Sequence, residues 1–499
     1  MHRWSAAGEA VSVDPITLRV VSGALRAACE EMGAVLIRAA HSANIKERRD
    51  ASCALFDAGG RMVMQAEHIP VHLGAMPAAV EAVVGERHVP DVAWVLNDPY
   101  RGGTHLPDIT VITPAFAADG EHLGFAANRA HHADVGGPTP GSMPADSTTL
   151  ADEGVVISPR PLDAAAIDEL AAQMRQPAQR RADLRAQLAA NRTGTGRLRE
   201  LHARGGLQAA MDATIDYSER RMRACLAALP DGSRSARDVL EARAGDIELQ
   251  LTATVHGDEL TLDFSGSAAQ HDGNLNCPLS VTRSACWFAV RVLTDPDIPP
   301  TAGAYRPIRV IAPAGSLLNA NAPAAVVAGN VETSSRVADL VLAAFGGALG
   351  QGTMNNLTLG SQAFTYYETL GGGQGACADA DGPSGVHVAM SNTLNTPVEA
   401  LELEFPLLVR RYAVRRGSGG AGLHRGGDGV VRELEALAEM TFSLLTERRR
   451  HAPPGAAGGH PGAPGCNLLD GEPLPPKASG SLRRGQTLRI ETPGGGGFG

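Results

Sequence analysis

The chain has 499 residues, of which 43% are hydrophobic and 20% charged, and its net charge is −10. At roughly 100–200 residues per domain, this length predicts two to four domains of an ordinary globular protein. The acidic balance excludes general nucleic-acid binding, which needs a basic surface to neutralise phosphates. No apolar run reaches the roughly 18 residues that span a membrane, and the N-terminus lacks a signal-peptide core. We therefore expect a cytoplasmic protein.

The cysteine and lysine content excludes two further kinds of site. The seven cysteines are scattered and contain no CxxC pair, so neither a disulfide framework nor a cysteine-type zinc site is expected. Lysine occurs only at Lys46 and Lys477, and neither position has the spacing of a phosphate-binding P-loop. A Walker-type ATPase is therefore excluded.

The first region, residues 1–157, is predicted to mix helices and strands. Asp14 and Pro15 are typical of a helix start, and apolar residues at helical spacing continue to Ala40. Short apolar or alternating runs then predict strands, two of them joined as a hairpin, with one short helix over 76–84. The predicted strands are residues 52–56, 61–65, 92–96, 109–113 and 123–127.

Residues 158–232 are rich in Ala, Arg, Leu, Gln and Glu, which predicts a helical arm of two or three packed helices. Residues 233–499 are predicted to form a second α/β region with Gly-rich loops. There we expect a hairpin within 247–264, a helix over 331–349 and a strand pair within 398–414. The Gly-rich end predicts a flexible terminus, or else a backbone-lined loop against a partner or ligand. The predicted fold class is thus α+β (mixed α/β) and multidomain.

The densest group of chemically capable side chains lies in two Gly-rich loops at predicted strand ends. One loop contains His105 and Asp108, and the other contains His131, His132 and Asp134. Neutral imidazole with carboxylate suits Zn, Mn or Fe(II) better than Ca or Mg. Adjacent strand residues point to opposite faces, so only one of His131 and His132 is expected to reach an ion. The alternative is that these are polar loop residues that hold turns.

Three other motifs have simpler interpretations. The two histidines of residues 67–74 are expected to be loop residues with satisfied hydrogen bonds, since most histidines are not ligands. The charged run 46–50 is expected, from its composition, to be solvated. The Gly-rich stretch 417–422 is not embedded in a strand-to-helix pattern and is expected to form turns.

A set of strings, in order along almost the whole chain from about residue 14, resembles the hydantoinase B/oxoprolinase family. The resemblance implies a B-type subunit that acts with an A-type subunit, an actin-like ATPase that binds ATP. The A-type subunit phosphorylates the carbonyl oxygen of a cyclic amide such as hydantoin, 5-oxoproline or a lactam. The B-type subunit then opens the ring with a metal-activated water. The strings are residues 44–50, 66–77, 97–108, 128–137, 329–334, 393–400, 418–429 and 493–497.

The resemblance also implies a metal site with four ligands, for Zn, Mn or Fe. His105 and Asp108 match the HxxD ligands of the family, and His131 matches the histidine one strand later. Glu47 falls where the family supplies a carboxylate, which replaces its interpretation as a solvated charge. Whether His131 or His132 is the ligand stays open.

The implied mechanism gives roles to four further residues. His132 or Asp134 is expected to orient the attacking water or act as general base. Arg101 and Arg129 flank the two loops and are expected to hold the phosphate group, or else to pair with carboxylates at the surface. Two other functions remain open: the metal-binding subunit of an ATP-dependent ketone carboxylase, and a non-catalytic scaffold for the ATPase subunit.

Overall fold

The computed structural model describes residues 13–67 and 69–499. Its N-terminal part is organised by an antiparallel six-stranded sheet with the order β2-β1-β5-β4-β3-β6. The strands of this sheet are β1 Ala51–Asp57, β2 Met62–Glu67, β3 Ala93–Leu96, β4 Asp108–Phe116, β5 His122–His131 and β6 Arg160–Leu162. All the strands predicted in this region are therefore confirmed.

Helices cover one face of this sheet. They are α1 Pro15–Ala39, α2 Ala43–Lys46, α3 Ala75–Glu81, α4 Ala164–Ala172, α5 Pro177–His202 and α6 Leu207–Ala227. The first begins as predicted, because Asp14 accepts hydrogen bonds from two backbone amides of the first turn. Leu25 and Met32 of α1 share a core with Ala190 of α5 and with sheet residues. Burial of this apolar surface holds α1 and α5 on the sheet.

The helices α4, α5 and α6 confirm the helical prediction for the middle of the chain, but they do not project as an arm. A Cβ atom at Gly194 of α5 would lie 2.4 Å from Met32 Sδ and 2.8 Å from Ala126 Cβ. Glycine at this position thus lets α5 approach both α1 and the sheet closely. The predicted boundaries after residues 157 and 232 stay predictions.

A second sheet has the order β10-β9-β8-β7 and includes the predicted hairpin. Its elements are β7 Gly232–Ala242, β8 Gly245–His256, β9 Glu259–Asp263, α7 Leu279–Leu293, α8 Ala302–Tyr305, β10 Ile308–Ile311 and α9 Ser334–Ala344. Phe125 of the first sheet, Leu249 of the second and Val281 of α7 belong to one continuous core. The metal-ligand loops are therefore anchored on a large packed body.

The C-terminal part packs two sheets face to face. One has the order β12-β11-β15-β18 and the other β13-β14-β19-β16-β17, with Leu357 and Leu434 in the core between them. The elements are β11 Asn356–Gly360, β12 Thr365–Glu368, α10 Val398–Glu404, β13 Leu407–Arg415, β14 Gly429–Ala436, β15 Met440–Leu445, β16 Cys466–Leu469, β17 Glu472–Leu474, β18 Lys477–Leu482 and β19 Thr487–Glu491.

Three predictions for this half of the chain were wrong in part. Residues 398–414 form a helix and one strand, because the partner of β13 is β14, further along the chain. The helix predicted over 331–349 is a π-helical turn at Gly329–Thr333 followed by the shorter α9. The tail is packed: His424 N donates to Phe498 O at 3.0 Å, and residues 492–497 are buried.

Within residues 13–67 and 69–499, no helix combines the length and the apolarity that crossing a bilayer requires.

Candidate metal centre

Antiparallel pairing of two strands creates the centre of the candidate site. Asp108 is the first residue of β4 and His131 the last of β5, and the register places them directly opposite each other. His105 lies three residues before β4, in the turn that leads into it, and His105 O accepts from Asp108 N at 3.1 Å. Cross-strand neighbours have close Cβ atoms, so the two His/carboxylate loops converge at one sheet end.

Three atoms of these residues form a nearly equilateral triangle. Asp108 Oδ1 lies 3.2 Å from His105 Nε2 and 3.1 Å from His131 Nδ1, and the two nitrogens are 3.2 Å apart. All three side chains are at most 2% exposed. Among the residues that the structure describes, this is the group of three or more metal-ligating side chains that converge in this way.

The triangle fits a divalent transition metal. Ligand atoms about 2.1 Å from a tetrahedral ion lie about 3.4 Å from one another, close to the spacing seen here. Two histidines and one carboxylate on one side of an ion form the ligand set of many Fe(II) centres and also suit Zn and Mn. Three ligands leave further coordination positions open, as a catalytic metal requires.

The electrostatics keep the carboxylate of Asp108 charged. Burial alone would raise its pKa, but the charge on His105 and hydrogen bonds with His105, His131 and His72 outweigh burial and hold the pKa well below its usual value. Burial lowers the pKa of His131, which favours the neutral imidazole that a metal binds. A charged carboxylate beside a neutral imidazole is the protonation state of a ligand pair.

Two residues outside the triangle orient Asp108. Thr104 Oγ1 donates to Asp108 Oδ2 at 2.6 Å, and His72 Nε2 lies 3.4 Å from the same oxygen. His72 ends a 3-10 helix at Pro70–His72, and its Nδ1 is 2.9 Å from Ser52 Oγ on β1. The sequence interpretation of His72 as an ordinary loop histidine missed this contact. The HxxxH spacing of His68 and His72 was the available signal, but His68 lies outside the described residues.

A small cavity adjoins the triangle. It offers about 10 Å³ to the centre of a water-sized sphere, which is enough for one water molecule or one ion. Besides the triangle residues, its lining includes Asp50 and His72 from the N-terminal part. Across from them, the lining includes Asn330 of the π-helical turn and Tyr367 of β12. The candidate site thus lies between the N-terminal sheet and the C-terminal part.

The charged run at residues 46–50 contributes to this site, but not through the predicted residue. Asp50 is 3% exposed, lines the cavity, and accepts from His131 N through its backbone oxygen at 3.1 Å. Glu47 is half-buried, follows helix α2, and is neither in the triangle nor in the cavity lining. The structure therefore brings Asp50, not Glu47, to the site. The positive φ of Arg49, 57°, turns the chain between them.

Buried Arg48 was also expected to be solvated. Its guanidinium donates to Tyr367 O at 3.2 Å, Thr369 Oγ1 at 2.9 Å and Thr393 Oγ1 at 3.1 Å. Its Nη2 is 4.0 Å from Asp50 Oδ2, a long ion pair. Composition alone could not separate this buried arginine from the exposed Arg49 beside it.

The two residues expected to act on water lie away from the cavity. His132 points to the opposite face from His131, towards α5, where its Nε2 is 3.0 Å from Gln187 Oε1. Burial lowers its pKa to about 4. Asp134 accepts from Gly136 N and Gly141 N, both at 2.7 Å, and pairs with Arg175 at 3.0 Å. These contacts give both residues structural roles, so the geometry does not carry their catalytic assignment forward.

The two predicted phosphate-binding arginines are not in the cavity lining either. Arg101 is exposed and ends the 3-10 helix Pro99–Arg101. Arg129 is fully buried, and it donates to Thr110 Oγ1 at 2.7 Å and to Gly102 O at 2.8 Å. Its contacts are those of a residue that fixes a turn to the sheet. In this conformation neither guanidinium faces the space beside the triangle.

Comparison with known proteins agrees with these sequence strings and this geometry. The family model described as hydantoinase B/oxoprolinase matches residues 14–499. The chain belongs to the hydantoinase B/oxoprolinase family. The predicted family is therefore confirmed over almost the whole chain, including both His/carboxylate loops.

Among curated members of this family, 5-oxoprolinase 1 of Arabidopsis thaliana is 40% identical over 97% of this chain. The alignment covers 42% of that relative, so the chain spans less than half of its length. The putative D-/L-hydantoinase B-type chain of Pseudomonas sp. (strain NS671) is 31% identical, with 98% of this chain and 90% of that protein aligned.

Two solved structures align with almost the whole chain. The ATP-dependent caprolactamase of Pseudomonas jessenii has a TM-score of 0.91 and 28% identity, over 98% of this chain and 92% of its own. Nucleotide-free acetone carboxylase has a TM-score of 0.86 and 18% identity, over 97% and 76%. At that identity the second likeness shows the fold alone. The predicted mixed α/β fold is confirmed.

Proposed function

We propose that this chain is the ring-opening, B-type subunit of an ATP-dependent cyclic-amide hydrolase. One observation carries the proposal: the buried triangle of His105, Asp108 and His131, in a member of the hydantoinase B/oxoprolinase family. Relatives named as a 5-oxoprolinase, a hydantoinase and a caprolactamase support a cyclic amide as substrate.

The triangle would hold a divalent Zn, Mn or Fe ion, and Asp50 is the nearest further carboxylate in the cavity lining. Such an ion lowers the pKa of a water molecule and stabilises negative charge that develops on a reacting oxygen. Asp108 keeps its negative charge, and Thr104 and His72 hold the carboxylate in one orientation. Orientation by such outer contacts preserves ligand geometry.

Residues around the cavity would position the attacking water. Asn330 Oδ1 is buried and, among the residues that the structure describes, has no hydrogen-bond partner. It lines the cavity across from the triangle, as does Asp50. A buried acceptor without a donor is costly, so a donor such as water is expected there. Asp50 then replaces His132 and Asp134 as the candidate general base.

The size of the cavity limits how a ring can reach the site. About 10 Å³ accepts a water molecule but not a five-membered or larger ring. Ring opening therefore requires lining side chains such as Ile69 and Met354 to move outwards. Because the sequence contains no P-loop, chemical activation of the ring by phosphorylation is assigned to an A-type ATPase subunit.

The direct test is reconstitution with an A-type ATPase subunit of the same family. The complex should consume 5-oxoproline, a hydantoin or a lactam together with ATP, and His105→Ala should abolish ring opening. The exposed His256→Ala is the matched control and should keep full activity. Full activity of His105→Ala would favour the scaffold alternative. Turnover of a ketone that depends on bicarbonate would favour the carboxylase.

A further inference from the structure

The imidazole of His131 is covered by an aromatic ring from the other half of the chain. The Tyr367 ring stacks on it with a centroid distance of 4.5 Å and an interplanar angle of 14°. Tyr367 is 2% exposed and belongs to β12, more than 200 residues away in sequence from β5. Parallel packing at this distance is a favourable aromatic contact.

This ring is itself fixed at three points. Its hydroxyl donates to Asn356 Oδ1 at 2.7 Å, and Asn356 Nδ2 donates to Glu332 Oε1 at 2.9 Å. The Arg48 guanidinium carbon lies 4.6 Å from the ring centroid, and Arg48 Nη1 donates to Tyr367 O at 3.2 Å. The ring therefore has little freedom to tilt or slide.

His131 lacks the hydrogen bond that usually orients a metal-binding histidine. A ligating imidazole commonly donates its other N–H to a carboxylate, a carbonyl or water, and this bond fixes the ring plane. His131 presents Nδ1 to the triangle, so Nε2 is that other nitrogen. Nε2 is buried and finds no hydrogen-bond partner within the part of the chain that the structure describes.

We propose that Tyr367 is a positioning residue for the metal site and that stacking replaces the missing hydrogen bond. Rotation of the His131 ring about Cβ–Cγ would swing Nδ1 out of the triangle, and the parallel Tyr367 ring opposes this rotation. The proposal rests on the metal site of the proposed function. It also means that strand β12 of the C-terminal part helps to complete an N-terminal ligand set.

The test measures Co²⁺ binding to the purified full-length chain, by competition with a chelating dye and by the visible spectrum of bound Co²⁺. Tyr367→Leu removes the ring and should weaken Co²⁺ binding by about 10-fold or more and shift the spectrum, as other changes outside the ligand shell do. Tyr367→Phe keeps the ring and should retain both. This contrast separates stacking from the hydroxyl bond to Asn356.

The neighbouring Tyr366→Leu is the matched control. Tyr366 is 1% exposed and lies on the same strand, but it belongs to the core between the two C-terminal sheets. Its replacement should reduce stability comparably and leave Co²⁺ affinity and spectrum unchanged. If Tyr367→Leu does not fold, Tyr367→Met supplies a ring-free side chain of similar length for the same measurement.

Two negative outcomes have different meanings. If the wild-type chain binds Co²⁺ and the ring-free Tyr367 variant binds it equally well with the same spectrum, the positioning role is wrong. An equal loss in Tyr366→Leu would also overturn it, since the effect would then be general destabilisation. If the wild-type chain binds no Co²⁺, the metal site of the proposed function fails first.

Discussion

His105 Nε2 lies 3.2 Å from His131 Nδ1, and Asp108 Oδ1 is within 3.2 Å of both nitrogens. Two imidazole nitrogens at this distance repel each other through their lone pairs unless a proton or a cation lies between them. One proton can bridge only one pair of these atoms, whereas a divalent cation satisfies all three at once. The following predictions test this relationship and the structure around it.

The carboxylate that completes the site is tested by a pair of substitutions three residues apart. Asp50→Asn should lower the affinity for Co²⁺ or Zn²⁺ by about 10–100-fold, because Asp50 lines the cavity beside the triangle. Glu47→Gln makes the same charge change outside the lining and should leave the affinity unaltered. The reverse result would restore the ligand role that family resemblance gives to Glu47.

Glu332 predicts a pH-dependent stability. Burial and the nearby charge of Glu447 raise its pKa from 4.5 to about 7, so the folded chain holds a proton that the unfolded chain has released between these values. The stabilisation from this proton is present below about pH 4.5 and lost as the pH rises through 7. Glu332→Gln should therefore gain up to about 3 kcal/mol of unfolding free energy relative to wild type between pH 4.5 and 8.

Unfolding of both proteins in denaturant at several pH values measures this difference. The exposed Glu472→Gln is the control and should differ from wild type by a constant amount. A constant difference for Glu332→Gln as well would mean that Glu332 is ionised throughout this range.

The glycines of the C-terminal tail predict a large loss of stability on small substitutions. A Cβ atom at Gly495 would lie 2.0 Å from Gln374 O, and backbone atoms cannot yield as a flexible side chain can. Gly495→Ala should destabilise the chain by about 3 kcal/mol, at the upper end of overpacking effects. Gly196→Ala in α5, with no atom within 4 Å of the new Cβ, should be neutral or stabilising by up to about 1 kcal/mol. Equal thermal midpoints for both variants would contradict this packing.

ATP chemistry is expected only in the presence of a partner. The purified chain should not hydrolyse ATP, because it has no P-loop and only two lysines. Adding an A-type subunit should produce ATP hydrolysis that depends on the cyclic amide. Robust ATP hydrolysis by the purified chain, free of contaminating ATPase, would contradict the division of labour proposed above.

The centre of the site could be predicted from the sequence because it is local. His105 and Asp108 are three residues apart at a strand start, and His131 ends the next strand, so strand pairing alone brings them together. Strand alternation also separates His131 from His132. The other contributors come from distant segments: Asn330 and Tyr367 reach the cavity only through packing of the C-terminal part, which no local pattern encodes.

The charged run and the glycine tail show where composition misleads. Residues 46–50 have the composition of a solvated segment, yet Arg48 and Asp50 are buried, because hydrogen bonds to Thr369 and Thr393 satisfy the guanidinium. The tail has no side chains to form a core, yet its backbone packs against other glycine segments, with Gly495 N donating to Gly427 O at 2.9 Å. Such backbone packing leaves no hydrophobic pattern in the sequence.

The most direct test of the account is elemental analysis of chains purified without chelator. We predict about one Zn, Mn or Fe per wild-type chain, the occupancy of a single catalytic site. His131→Gln should lose most of this metal, while His132→Gln, which changes the adjacent buried histidine, should retain it. Full metal content in His131→Gln, or a wild-type chain that is active in the complex without a transition metal, would contradict the central claim.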